Sequence, residues 1–220
     1  MKTSKLIALI VIALFATSIQ SIAQDSTSTR NKYPVRYGVK AGINFADLHT
    51  KNSDKSKMLV GFNVGGFAKL PIFRFIAIQP KIYYTTKGSE VTYNNLVAQG
   101  TAKFTLNYIE IPLLLIVNLD ENFNVYAGPY ASALVSGKVQ NKSNTVLFDY
   151  EHNIKREDYS DYDLGIIVGG GVDIGRIGIG GRYCYGTKTV GKQKDFAGSL
   201  ETFPDSKNGV LNFYVSVALN

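Results

Sequence analysis

The chain has no tryptophan, one cysteine, two methionines, two histidines and six prolines in 220 residues. A single thiol, Cys184, excludes an internal disulfide framework and any cysteine-cluster zinc site. His49 and His152 are far apart and belong to no ligand spacing, so no metal and no cofactor is expected. No block of like charge runs along the chain, which argues against a nucleic-acid surface. A 3.6-residue apolar period is almost absent, which argues against a helical domain. The one long uninterrupted apolar run, Leu6 to Ala16, is too short to span a bilayer comfortably as a helix.

Glycine is abundant (21 residues), and so are tyrosine (14) and phenylalanine (12), a composition that favours an all-β protein. The N-terminus has the plan of a cleaved signal peptide. Lys2 and Lys5 form the basic region, Leu6 to Ala16 the apolar region, and small residues precede Gln24. The expected division is a signal peptide over 1–23, a polar leader over 24–34 and one β domain over 35–220. The formal charge of +7 becomes +5 without Lys2 and Lys5, since 22 basic residues then face 17 acidic ones.

Eight runs alternate with period two, at about 35–45, 58–70, 75–88, 103–118, 123–138, 162–174, 177–189 and 208–219. Short connections follow the second, fourth and sixth runs: Pro71–Arg74, Asp120–Asn122 and Gly175–Arg176. The other four, about 46–57, 89–102, 139–161 and 190–207, are long and polar. Short turns at one end and long loops at the other are the habit of outer-membrane barrels, and eight strands return the chain to its starting side.

The faces agree. One face of each run is nearly pure apolar, as in Ile109, Ile111, Leu113, Leu115 and Val117, or Leu211, Phe213, Val215, Val217 and Leu219. The opposite face carries glycine, tyrosine and charges of both signs. A soluble barrel puts its apolar face inside, whereas a membrane barrel turns it out to lipid. The expected fold is therefore an eight-stranded antiparallel transmembrane β-barrel. A soluble, lipocalin-like barrel for an apolar ligand is the alternative.

Glu110 shares the inward parity of Arg36, Lys40, Lys69, Lys81, Asp163, Asp173 and Arg182. A buried carboxylate needs partners, so these groups are expected to form an interior ion-pair network, with Glu110 paired to Arg182, Lys81 or Lys40. Tyr83, Tyr108, Tyr126, Tyr130 and Tyr214 point the same way and are expected to fill an eight-stranded lumen, which side chains can do. Pro80, Pro112 and Pro129 lack an N–H and are expected at bulges or unpaired ladder positions.

The blocks "YGVKAGINFA", "GFNVGGFAKLPI", "IQPKIYYTTKGSE", "LNYIEIPLLL", "NVYAGPYASALVSGKV", "DLGIIVGGGVDI" and "LNFYVSVALN" resemble the PorT-like outer-membrane β-barrel proteins of Bacteroidetes. The resemblance covers nearly all of the chain after the signal peptide, and "YIEIP" and "YAGPY" are its most specific parts. It implies outer-membrane localisation in a Gram-negative envelope. The founding member is tied to type IX secretion and gliding, and a role does not transfer by fold alone.

"GGGVDIGRIGIGG" has the look of a dinucleotide loop, yet its glycines alternate with aliphatics as strand residues do. His152 lies near Asp149, Glu151, Asp158 and Asp161, the ingredients of a rim hydrolase, but no nucleophile or paired-carboxylate spacing accompanies them. No enzymatic activity is expected. A barrel that binds or transports a small or lipidic ligand, or a hydrolase with a loop-rim site, remains the alternative function. The loop at 139–161, with Phe148, Tyr150, His152 and Tyr159, is the candidate contact for an envelope protein, because exposed aromatics favour partner binding. Outer-membrane lipid is the expected surrounding, with lipopolysaccharide phosphates as partners for Lys51, Lys55, Lys57, Lys188, Lys192 and Lys194. The expected state is a monomer.

Overall fold

The structure is a computed structural model, and it describes residues 35–49, 56–94, 99–143, 150–153, 161–189 and 207–220. The signal peptide, the leader, Phe148 and Tyr159 lie outside the described residues. Among the described residues there are nine strands: β1 (Arg36–His49), β2 (Ser56–Phe73), β3 (Ile76–Asn94), β4 (Gln99–Asn118), β5 (Phe123–Ser143), β6 (Tyr150–Asn153), β7 (Tyr162–Ile174), β8 (Ile177–Gly186) and β9 (Lys207–Ala218).

Every ladder is antiparallel. β1 pairs with both β2 and β9, and β4 pairs with β5, so eight strands close on themselves. Closure pairs each of these eight strands with a neighbour on both sides. The ninth strand, β6, pairs with Lys138–Asn141 of β5. The predicted runs all appear, but β3, β4 and β5 extend well into segments read from sequence as loops. Tyr150 and His152 accordingly belong to β6, and His49 ends β1. Polarity hid these extensions, since strands rising beyond a membrane carry no lipid-facing apolar row. The seventh run is shorter than predicted and ends at Gly186.

The turns at Arg74–Phe75 and Gly175–Arg176 have two residues each, and four residues (119–122) join β4 to β5. Gly175 takes φ 60°, which glycine adopts at no steric cost and which a tight hairpin requires. The two ends of the barrel chain meet beside these turns. Asn220 Nδ2 donates to the Val35 carbonyl (2.8 Å), and Tyr37 N donates to Asn220 Oδ1 (3.0 Å).

The apolar face points outward. Ile43, Leu113, Ile166 and Phe213 are each 51–54% exposed. In β4 the outward apolar row runs from Val117 to Ile109 and stops at Asn107. There Thr86 Oγ1 donates to Asn107 Oδ1 (2.8 Å), and Asn107 Nδ2 donates to Ser136 Oγ (3.0 Å). This polar row crosses three strands and marks the upper limit of the apolar belt on that side. β7 and β8, with 13 and 10 residues, suffice for a tilted crossing of about 9–11. β3, β4 and β5, with 19, 20 and 21 residues, exceed it and rise past the belt as a wall.

The prolines do not mark register shifts at the three positions expected. The β3–β4 register is the same on both sides of Pro80 and Pro112, and the β5–β7 register runs through Pro129. Pro112 instead falls in an unpaired stretch facing β3, and Pro129 in one facing β4, the other arrangement that a missing N–H permits. Register shifts occur between Met58 and Asn63, between Pro71 and Phe73, and between Asn107 and Tyr108.

Candidate functional site: the barrel lumen

Inward tyrosines and inward glycines face one another across the ladders. Tyr130 is opposite Gly165, Tyr126 opposite Gly169, Tyr214 opposite Gly180 and Tyr83 opposite Gly65. A Cβ on any of these glycines would lie 2.5–2.7 Å from the facing tyrosine side chain. Each ring therefore occupies the space that a missing side chain leaves. This is how a narrow lumen accommodates so many large residues, and all five predicted tyrosines are buried.

The lumen has three layers. Nearest the long connections it is apolar: Leu59, Phe104, Leu106, Tyr108, Leu134 and Val139 are buried there. The middle layer holds four charges. Lys87 Nζ lies 2.9 Å from Glu110 Oε2 and 3.1 Å from Asp163 Oδ2, and Arg182 Nη1 lies 3.6 Å from Glu110 Oε1. All four residues are 0–3% exposed.

Polar neighbours complete the middle layer. Tyr130 OH (3.0 Å) and Asn208 Nδ2 (2.9 Å) donate to Asp163 Oδ2. Arg182 Nε donates to Asn212 Oδ1 (3.0 Å), and Asn212 Nδ2 and Asn63 Nδ2 both donate to Asn44 Oδ1 (3.0 and 2.8 Å). Asn44 Nδ2 passes the chain on to Thr85 Oγ1 (2.9 Å).

Toward the short turns the lumen becomes cationic. Lys40 Nζ sits 3.4 Å from the centroid of the Tyr214 ring, and Lys81 Nζ 4.9 Å from that of Tyr126. Aromatic faces attract cations in this way. Tyr126 OH donates to Tyr214 OH (3.0 Å), which ties the two rings together. Lys69 Nζ donates to Asn118 Oδ1 (2.8 Å) and pairs with Asp173 (3.2 Å), and Asn124 Nδ2 also donates to Asp173 (3.1 Å). A cavity of about 30 Å³ opens at this end, with Arg36, Lys40, Lys69, Asp173, Arg176 and Tyr214 in its lining.

The predicted network is thus divided. Glu110, Asp163 and Arg182 meet in the middle layer, while Lys40, Lys69, Arg36 and Asp173 gather at the mouth. Of the three partners expected for Glu110, only Arg182 reaches it. Lys40 and Lys81 have no carboxylate within ion-pair distance among the described residues and lie against tyrosine rings instead. The closest partner of Glu110, Lys87, was legible as an inward residue of β3 but not as a partner. Parity gives the face of a strand, whereas the height at which distant strands meet depends on barrel tilt and stagger. The asparagine chain was missed because inward asparagines read as generic polar residues.

Cys184 is buried, 2% exposed, among Ala46, Ala77, Leu114, Ile116, Ile167 and Val210, and behaves as a small apolar filler. "GGGVDIGRIGIGG" is the β7–β8 hairpin. Among the described residues, no three His, Cys, Asp or Glu side chains gather to hold a metal ion.

A closed antiparallel barrel that is aliphatic outside and charged inside is a membrane-spanning β-barrel. The chain belongs to the family described as the outer membrane protein beta-barrel domain, which it matches over residues 22–188, and it is an outer-membrane protein. No curated protein sequence matches it. Among solved structures, it is similar to Ail, the attachment invasion locus protein of Yersinia pestis. Identity to Ail is 12%, with a TM-score of 0.49 over 85% of this chain and 100% of that one. It is also similar to Neisserial surface protein A, at 16% identity and TM-score 0.49, over 84% of this chain and 99% of that one.

Proposed function

We propose that the protein is a PorT-like, non-enzymatic and non-conducting barrel. In this reading its filled lumen is a stabilising plug, and its work is done at the surface, as a structural element or as a component of an envelope assembly such as a secretion apparatus. The observation that carries this is the middle layer. Glu110, Lys87, Asp163 and Arg182 are buried and bonded to one another across the barrel, with an apolar layer above them. Such a cross-section opposes the passage of solutes.

Residues 1–23 serve as the signal peptide and 24–34 as a periplasmic leader, and the short turns and both barrel termini face the periplasm. The tall wall of β3, β4 and β5 then stands on the outer side. It carries β6 and the 139–161 segment, with Tyr150, His152, Phe148 and Tyr159, as the contact for an envelope protein. Lys188 Nζ lies 2.8 Å from the centroid of the Tyr162 ring near the belt's upper edge, where lipopolysaccharide phosphates would be within reach.

The test is deletion of the gene, with assays of protein secretion and envelope integrity and a pull-down by intact and loop-shortened barrels. An envelope protein captured only by the intact barrel, with impaired secretion in the deletion strain, is the result for an assembly role. Altered adhesion or detergent resistance with an unchanged secretome is the result for a structural one. Rescue of every phenotype by a barrel lacking 144–160 would exclude the proposed contact.

A further inference from the structure

The mouth of the lumen beside the short turns has an unbalanced charge. Arg36, Lys40, Lys69 and Arg176 line its cavity with a single carboxylate, Asp173, already engaged by Lys69 and Asn124. Lys40 is 4% exposed and lies against that cavity, and Lys81, 3% exposed, is an electrostatic neighbour deeper in. Among the described residues, Lys81 Nζ meets no carboxylate and no oxygen acceptor. Tyrosine faces soften the burial of these basic groups but supply no countercharge. Buried charges are otherwise paired, because removing one from water without a partner is costly.

We propose that this mouth is a binding site for one small oxyanion of the phosphate class. Size and chemistry both fit. A cavity of about 30 Å³ holds roughly two waters at the ~10–15 Å³ each requires, about the room one tetrahedral oxyanion takes. Lys40 supplies charge from within, and Arg36 and Arg176 supply planar, multi-donor groups at the rim, the residue type best matched to phosphate oxygens. Ser216 and Gln79 add neutral polar groups to the lining. The middle layer has no such capacity, because its two cations already face two carboxylates. The proposal holds whether the barrel serves adhesion or assembly, since it concerns the opposite end of the molecule from the surface contact.

The anion can come from solution or from a lipid headgroup at the inner leaflet, and the experiment separates the two. Inorganic phosphate is titrated by calorimetry into the folded full-length barrel in a maltoside detergent, which carries no phosphate, and again in phosphatidylcholine nanodiscs. Saturable binding is expected in the detergent, together with a rise in the temperature at which heat-modifiable gel mobility is lost. Retention in nanodiscs identifies a soluble anion, whereas loss there identifies the lipid phosphate as the occupant.

Lys40→Met should weaken binding about tenfold or more while the barrel still folds, as judged by its gel mobility. Arg176→Gln, at an exposed turn where folding is not at stake, should weaken it ~3–10-fold. No saturable binding by the folded native barrel at millimolar phosphate would overturn the proposal, and so would unchanged affinity in Lys40→Met.

Discussion

The middle of the lumen and its mouth hold the same kinds of residue to different effect. In the middle, two cations and two carboxylates are buried at 0–3% exposure, and each cation meets at least one carboxylate. At the mouth, Lys69 and Asp173 make the one ion pair among the described residues, while Lys40 and Lys81 rest against tyrosine rings. Balance and burial together make a layer that is costly to disturb. Imbalance near an opening makes a layer able to accept something from outside. Charge inside a barrel therefore does not define a role until its partners are located.

The largest loss is expected at Lys87, which bridges Glu110 and Asp163. Lys87→Met leaves Asp163 buried without its cation and Glu110 with only Arg182, and should cost the upper part of the ~3–5 kcal/mol typical of a broken buried pair. Unfolding in urea, in lipid vesicles, measures this. Glu110→Ala should cost somewhat less, nearer ~3 kcal/mol, because Lys87 keeps Asp163 and only Arg182 loses its carboxylate. Its readout is a lower temperature for the loss of heat-modified migration. A Glu110→Ala barrel as stable as the native one would mean that water reaches the middle layer.

Packing gives an intermediate effect. Gly169→Val places a side chain where the Tyr126 ring lies, and overpacking of that kind costs ~1–3 kcal/mol. The double variant Gly169→Val with Tyr126→Ala should lose less than the sum of the two single losses in the same urea titration. At the mouth the effect is smallest. Lys69→Met removes a pair whose Asp173 side chain is 26% exposed, and partly solvated pairs are worth ~0–1 kcal/mol. A loss comparable to that of Glu110→Ala would erase the distinction between the two layers.

Strand number, the closing order and the facing of side chains were legible in the sequence because lipid imposes a strict period of two. Ile109, Ile111 and Leu113 disclosed the outward face of β4, and through it the inward placement of Glu110. What the period could not disclose was height. Lys87 and Glu110 pair although Lys87 is registered opposite Leu106 and Glu110 opposite Tyr83, so a long side chain covers the vertical distance. Arg36 has the right parity yet lines the mouth. The strand extensions of β3, β4 and β5 were also hidden, because above the belt the outward face has no lipid to impose an apolar row.

Whether side chains close the lumen is read out by single-channel recording of the purified full-length barrel in planar bilayers. The filled middle layer predicts a flat baseline with no stable conductance steps. Steady, reproducible open steps from the native protein would contradict it.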